Sequence, residues 1–235
     1  MDPAPMWQYD ETKMSGVDYL QAEEVAAYDR MHRKFRDYAK STERIIHRLA
    51  LGRDSTVIDL GSGTGAFALH AAKRCGTVYA VDVSAAMIGY CRDRAAEEGL
   101  TNIVLCQEGL LTYEHAAGPV DAAVCVAALH HLPDFWKVAA LTRCRAMLKP
   151  EGKLYLFDVV FPSGEVNLQD RIDEWIASIE TMADGRLAQE AVIHARDEFS
   201  TYDWIMEGII RKSGFRIDAA EYAEGFRATY VCTNT

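Results

Sequence analysis

Acidic and glycine residues near position 60 have the types and spacing that point most directly to chemistry. Asp59 follows a short apolar run and precedes Gly61, Ser62, Gly63 and the start of a predicted helix. Glycines at alternate positions let the backbone approach a ligand, and a helix start offers unpaired N–H groups. An acid beside them repels a pyrophosphate but attracts a positively charged ligand. The stretch therefore predicts a nucleotide-type site for a cationic ligand.

A second acid, Asp82, ends the next predicted strand, at residues 77–83, at about the offset from the glycines that suits ribose hydroxyls. With Asp-Leu-Gly-Ser-Gly-Thr-Gly at 59–65 and this second acid, the chain resembles the class I S-adenosylmethionine-dependent methyltransferases. Their cofactor carries an ammonium and a sulfonium but no phosphate. The resemblance implies S-adenosyl-L-methionine as cofactor and S-adenosyl-L-homocysteine as product.

The resemblance continues through most of the chain, over residues 102–109, 120–126, 127–134 and 148–156. The His-His-Leu-Pro-Asp segment is similar to the small-molecule, methyltransferase type 11 (UbiE-like) branch. Strand-like runs alternate with helical stretches from residue 55 to 160, which predicts an α/β, doubly wound sheet with helical crossovers. The resemblance implies a Rossmann-like, seven-stranded sheet that is parallel except for an antiparallel C-terminal strand.

The predicted organisation is an N-terminal helical cap at residues 1–53 and a cofactor-binding domain at residues 54–235. Within that domain, a polar helical stretch predicts a lid inserted at about residues 161–200, before the last strands. Helices are also predicted at 65–75, 84–98, 133–148 and 202–212, and strands at 214–219 and 227–232.

Composition narrows the possible partners. The chain has 235 residues and a formal net charge of −10, which disfavours nucleic-acid substrates because phosphates need a basic face. No apolar run is long enough to span a bilayer, and the N-terminal residues lack the features of a secretory signal. The six cysteines lack metal or redox spacing, so core thiols are expected. These features predict a cytoplasmic protein with a small-molecule substrate, no membrane and no nucleic-acid partner, as a monomer or homodimer.

The resemblance also assigns cofactor contacts by position. Glycines and Ser62 would line the methionine part, Asp59 would reach its amino group, and Asp82 would accept the ribose hydroxyls. Arg36 would face the cofactor carboxylate, although a surface arginine explains it as well. Many relatives have Gly-Asp at the adenine edge, where this chain has the reversed pair Glu108-Gly109. The implied set is Arg36, Asp59, Gly61, Ser62, Gly63, Asp82, Val83, Met87, Glu108, Gly109 and Ala127.

Methyl transfer needs mainly positioning, because the acceptor attacks the sulfonium methyl in line. If the acceptor must lose a proton, His131 and His130 are the first catalytic candidates, since imidazole titrates near neutrality. His194, with Arg196 and Glu198, is a third possibility that a solvated turn explains equally well. The aromatic candidates to close over the methyl group are Tyr9, Tyr19 and Tyr28.

His130, His131 and His194 with Glu198 could converge on a metal ion. No metal site is expected, however, because adjacent histidines on a loop seldom both face one ion and no i, i+4 helix pair supports a site. Two other functions stay open. A nicotinamide-dependent oxidoreductase could use the same glycines, and a non-catalytic protein could bind an adenosyl nucleotide.

Overall fold

The computed structural model describes residues 7–13, 25, 37–164, 167–182 and 185–235. The helices are α1 (Tyr38–Arg48), α2 (Ala68–Ala71), α3 (Ala85–Glu97), α4 (Asp134–Met147), α5 (Leu168–Met182), α6 (Gly185–Asp197) and α7 (Asp203–Lys212), with a 3₁₀ turn at Leu129–His131. The strands are β1 (Thr56–Leu60), β2 (Thr77–Val81), β3 (Ile103–Cys106), β4 (Val120–Val126), β5 (Leu148–Phe161), β6 (Thr201–Tyr202), β7 (Phe215–Ala223) and β8 (Arg227–Asn234).

The strands form one open sheet in the order β3-β2-β1-β4-β5-β8-β7, with the two-residue β6 paired to the end of β5. Strands β1 to β5 pair in parallel, whereas β8 runs antiparallel to both β5 and β7. The strand order turns back between β1 and β4, which is where open α/β sheets bind ligands. The predicted doubly wound, Rossmann-like sheet with an antiparallel C-terminal strand is confirmed.

Both faces of the sheet are covered by apolar residues, as a parallel sheet requires. On β4, Ala123 and Cys125 belong to one buried cluster, and Ala122 and Val124 to the other. This alternation follows the two-residue period of a strand. The polar loops at the strand ends are thereby held on a rigid support.

Of the helices that follow β1 and β2, α3 was predicted with nearly correct bounds, whereas α2 was predicted too long. Helix α3 begins after Ser84, whose hydroxyl accepts a hydrogen bond from Met87 N at 3.2 Å, and Gly99 follows its end with φ of +65°. The helix predicted at 65–75 was wrong in extent, because only Ala68–Ala71 is regular α-helix. Gly65 has φ of +79° and so lies outside the helical region.

The region predicted as a lid contains α5 and α6, which follow each other in the sequence and pack on each other. Its role as a lid stays a prediction. Of the predicted N-terminal cap, α1 and the segment 7–13 are described, and Tyr19, Tyr28 and Arg36 lie outside the described residues. In the part of the chain that the structure covers, we found no helix with both the length and the apolar character needed to cross a bilayer.

Candidate active site

A cavity of about 540 Å³ opens beyond the carboxyl ends of β1, β2 and β4. Its wall includes most of the residues that the sequence singled out for ligand binding. Those predicted residues are Asp59, Gly61, Ser62, Gly63, Asp82, Val83, Met87, Ala127 and His131. Their cofactor and catalytic roles stay predictions, but the fold brings them to one space.

The glycine loop after β1 is fixed by the neighbouring strand. The backbone N–H groups of Gly61 and Ser62 both donate to Val81 O at 2.9 Å. A Cβ on Gly61 would lie 2.3 Å from that of Ala128, whereas a Cβ on Gly63 would meet nothing within 4 Å among the described atoms. Gly61 is therefore required by packing, and Gly63 leaves open space for a ligand.

Asp59 is a buried acid with no ion-pair partner among the described residues. Asp59 is 2% exposed, and its Oδ2 has no hydrogen-bond partner among the described residues. Burial, and then the nearby Asp82 carboxylate, raise the pKa of Asp59 to about 8. A positively charged ligand group in the cavity would compensate this buried acid.

Asp82 is held with both oxygens oriented. Gly63 N donates to Oδ2 at 2.8 Å, and Ser84 N donates to Oδ1 at 2.9 Å. Burial raises the pKa of Asp82, while these two hydrogen bonds act in the opposite direction. Each carboxylate oxygen can accept a further hydrogen bond, so the side chain suits a pair of neighbouring hydroxyls.

The expected adenine edge differs from the prediction. Glu108 and Gly109 are not among the residues that line the cavity, whereas Leu110 and Glu11 are. Glu11 accepts a hydrogen bond from Leu111 N at 3.0 Å, and a Cβ on Gly109 would lie 2.0 Å from its carboxyl carbon. The Glu11 carboxyl thus covers Gly109. Sequence reasoning missed Glu11 because it lies 100 positions from the residue it contacts.

Ala127 carries a backbone conformation that side chains rarely adopt. Its φ is +53°, and its N–H donates to Phe157 O at 2.8 Å. Such a conformation costs about 1–2 kcal/mol and persists where the surroundings impose it. It turns the chain at the end of β4 so that Ala127 and His131 both face the cavity.

Cations also line the cavity, although Arg36 lies outside the described residues. Lys40 and Arg44 come from α1, and Arg227 begins β8. Arg44 was not singled out from the sequence, since amphipathic spacing alone does not reveal which helix face meets a cavity. It is a described candidate for the partner of a ligand carboxylate.

His131 presents a free ring nitrogen at the cavity wall. Its Nδ1 is buried and finds no hydrogen-bond partner in the part of the chain that the structure describes. Burial, and then the neighbouring His130, lower the pKa of His131 to about 4, so the ring is neutral at pH 7. Tyr9 Oη donates to His131 O at 3.4 Å, which brings one of the predicted aromatic residues to this loop.

His130 does not line the cavity but lies buried behind His131. Its Nδ1 donates to Asp158 Oδ1 at 2.5 Å, and its Nε2 lies 3.2 Å from Glu198 Oε2. Burial lowers the pKa of His130, but the Asp158 carboxylate outweighs it and raises the pKa above the ordinary value. A direct role for His130 toward a ligand in the cavity is thus not supported by its position.

The third candidate group also lies in this region. His194 Nδ1 contacts Glu198 Oε2, and His194 Nε2 lies 2.7 Å from Ser200 Oγ. Arg196 instead pairs with the exposed neighbour Asp197. Asp158 was missed from the sequence because nothing in an apolar strand marks one acid as the partner of a distant histidine.

Residues 57–152 match a family model described as a methyltransferase domain. An uncharacterized methyltransferase of Geobacillus kaustophilus (strain HTA426) is 26% identical over 197 residues, 84% of each chain. A ubiquinone biosynthesis O-methyltransferase of Xanthomonas axonopodis pv. citri (strain 306) is 31% identical over 100 residues, 43% of this chain and 41% of the relative.

Among solved structures, the magnesium protoporphyrin IX methyltransferase of Synechocystis PCC 6803, with bound S-adenosylhomocysteine, is similar in fold. The TM-score is 0.63 at 16% identity, over 89% of this chain and 95% of that one. The sheet order, and the cavity at the point where that order turns back, are those of a Rossmann-like α/β fold. The match to a methyltransferase domain at residues 57–152, with a relative and fold neighbours described as methyltransferases, supports a class I S-adenosylmethionine-dependent methyltransferase.

Proposed function

We propose that the enzyme binds S-adenosyl-L-methionine in the cavity and transfers its methyl group to a small organic acceptor. The observation that carries the proposal is the buried Asp59, whose unpartnered oxygen faces a ligand space also lined by the oriented Asp82. Asp59 would meet the ammonium, and Asp82 the two ribose hydroxyls. Arg44 is our described candidate for the cofactor carboxylate.

The chain's own residues supply positioning. The acceptor atom attacks the methyl carbon opposite sulfur, the carbon–sulfur bond breaks, and its electron pair stays on sulfur, which becomes a neutral thioether. Walls on both sides of the cavity exclude water and hold the reacting atoms in line. Where the acceptor carries a proton, His131 would accept it through Nδ1, which has no partner among the described residues.

A small acceptor is favoured by three observations. The net charge of −10 opposes nucleic acid, and a cavity of about 540 Å³ is within the size range of small-molecule sites. The relatives named above include enzymes whose names refer to ubiquinone and to magnesium protoporphyrin IX. We extend to this chain only the shared class, a small organic molecule.

The proposal also covers the compartment, the oligomeric state and the partners of the enzyme. We propose a cytoplasmic enzyme, a monomer or homodimer, without nucleic-acid or membrane partners. The six free cysteine thiols agree with a reducing compartment.

Two measurements test the proposed function. Isothermal calorimetry should detect S-adenosyl-L-homocysteine binding and no comparable binding of NAD, since Asp59 beside the glycine loop opposes a diphosphate. A screen with methyl-labelled cofactor against small hydroxy, amino and thiol compounds should then find transfer. Tight NAD binding would favour the oxidoreductase, and cofactor binding without transfer to any acceptor would favour the non-catalytic alternative; neither is favoured by the relatives.

A further inference from the structure

Behind the acceptor side of the cavity lies a buried group of imidazoles and carboxylates, here named the His130 cluster. It comprises His130, His131, Asp158, His194 and Glu198. The ring of His130 lies 4.3 Å from that of His131 and 4.7 Å from that of His194, between centroids. The side chains of His130, Asp158 and Glu198 are at most 8% exposed. Methyl transfer from a sulfonium needs none of these carboxylates, so their burial calls for another explanation.

Three of these side chains point ligand atoms at one small volume. One ring nitrogen each of His130 and His131 and one oxygen of Glu198 all lie within 4.8 Å of one another. Ligands of one ion lie up to about 4.2 Å apart, because metal–nitrogen and metal–oxygen bonds are about 2.1 Å. Small side-chain rotations would bring the three atoms to that separation.

The tautomer of His130 is set for metal binding. Asp158 accepts from both the His130 ring Nδ1–H at 2.5 Å and the His130 backbone N–H at 3.0 Å. This leaves Nε2, which faces Glu198, as the atom with a lone pair once its proton is displaced. A carboxylate that orients a ligand histidine is the usual support of a protein metal site.

The cluster also has an opening. His131 lines the cavity, and its Nδ1 has no partner among the described residues. Three protein ligands leave at least one coordination position for water or substrate.

We propose that His130, His131 and Glu198 bind one divalent transition-metal ion at the acceptor side of the cavity. Two imidazole nitrogens and one carboxylate oxygen suit zinc, iron, cobalt or manganese, whereas calcium and magnesium prefer all-oxygen sites. Binding itself is independent of methyl transfer. Only the ion's use in holding the acceptor rests on the proposed function. A His131 nitrogen that holds the ion would not also serve as the base proposed above.

No metal was expected from the sequence, for two reasons that the fold changes. The 3₁₀ turn at Leu129–His131 directs the two adjacent histidines toward a common volume. An i, i+4 pair is also present, since His194 contacts Glu198 at the end of α6 and this pair lies beside the two histidines.

The test is metal binding by the full chain after removal of metal with a chelator. Reconstitution with Co²⁺ should give one ion per chain by elemental analysis and a visible absorption band, and Zn²⁺ should displace it. Glu198→Gln keeps the size of the side chain and should lower Co²⁺ affinity at least about tenfold. His131→Asn should do the same from the less buried cavity side. His47→Asn, on the exposed face of α1, is the matched control and should bind like the wild type.

Two results would overturn the proposal: a wild type that stays far below one ion per chain, or E198Q and H131N variants with wild-type affinity. Binding of S-adenosyl-L-homocysteine is measured on the same samples. Binding of S-adenosyl-L-homocysteine without metal binding would leave the methyltransferase assignment standing and remove the metal site. Metal binding without binding of S-adenosyl-L-homocysteine would support the metal site and remove the methyltransferase assignment.

Discussion

The two sides of the cavity satisfy their charges in opposite ways. The proposed cofactor wall, formed by Asp59, Gly61 to Gly63 and Asp82, keeps a buried Asp59 oxygen that has no hydrogen-bond partner among the described residues. The acceptor wall, formed by His131 and the His130 cluster behind it, pairs its carboxylates Asp158 and Glu198 with imidazoles. An unpaired buried acid is costly unless a ligand cation completes it. The Asp59 carboxylate thus lacks a cation unless a ligand supplies one, whereas the carboxylates of the acceptor wall already lie within ion-pair distance of imidazoles.

Chain connectivity separates the two walls as well. Gly63 and Asp82, in the cofactor wall, are 19 positions apart, and Ser84 and Asp82 only two. In the acceptor wall, His130 and Asp158 are 28 positions apart, and Tyr9 and His131 are 122 apart. Substitutions in the cofactor wall should therefore change ligand affinity, and those in the acceptor wall should change turnover.

Substitution of His131 should have the largest effect. His131→Phe keeps a planar ring but removes the free Nδ1, so we expect turnover with a screened acceptor to fall about 100-fold or more. Affinity for S-adenosyl-L-homocysteine should stay within about twofold, because the cofactor wall is untouched. Steady-state kinetics and calorimetry measure the two quantities. A variant with normal turnover would return His131 to a packing role.

Asp82 gives the reverse pattern. Asp82→Ala should weaken the binding of S-adenosyl-L-homocysteine at least tenfold, or more than about 1.4 kcal/mol, because the ribose contacts are lost. Asp93→Ala, an exposed acid on α3, removes the same charge away from the cavity and should bind normally. Equal titration curves for the wild type and D82A would remove the ribose assignment.

The same division explains what could be predicted from the sequence. The doubly wound sheet and the residues Asp59, Gly61 to Gly63 and Asp82 could be predicted, because strand ends, glycines and acids lie close together in the sequence. Glu11, Arg44 and Asp158 could not be foreseen, because each reaches the site only through packing of distant segments. The prediction of helix α2 was too long for a different reason, since the apolar spacing continues beyond Ala68–Ala71, the residues that form regular α-helix.

Two glycines within the cofactor wall should respond differently to one added methyl group. Both have positive φ, +70° at Gly61 and +52° at Gly63, so alanine costs each about 1–2 kcal/mol of backbone strain. Gly61→Ala adds a clash with Ala128 and should lose about 1–3 kcal/mol more of unfolding free energy. Gly63→Ala should stay folded but bind the cofactor more weakly. Denaturant unfolding and calorimetry on both variants check this; a G61A variant as stable as G63A would contradict it.

The raised pKa of Asp59 predicts how the stability of the folded protein changes with pH. Its pKa is about 8 in the folded protein against 3.8 in a free chain, so the unfolded state binds fewer protons between these values. The contribution of Asp59 to stability therefore falls as pH rises from about 4 to about 8 and is constant above that. Asp59→Asn should remove this slope and raise the melting temperature at pH 8.

Cofactor affinity should move in the opposite direction. A ligand ammonium favours ionised Asp59, so wild-type affinity should rise between pH 6 and pH 8, and D59N should show weaker binding without that rise. Protonation of the ligand itself affects both proteins equally, and Asp82 is present in both, so the difference between their curves isolates Asp59. Parallel curves would mean that Asp59 does not meet the ammonium.

The smallest effect is expected at Glu11, where the cofactor wall depends on a distant segment. Its carboxyl lies against Gly109 and Leu111 at the predicted adenine edge, and burial raises its pKa. The adenine amino group can donate a hydrogen bond to a carboxylate. Glu11→Ala should therefore weaken S-adenosyl-L-homocysteine binding by about threefold to tenfold. S-inosyl-L-homocysteine lacks that amino group and should bind the wild type and E11A equally. A uniform loss for both ligands would instead mean that Glu11 only anchors residues 7–13 to the loop after β3, and the adenine contact would then fall to the backbone at Leu110.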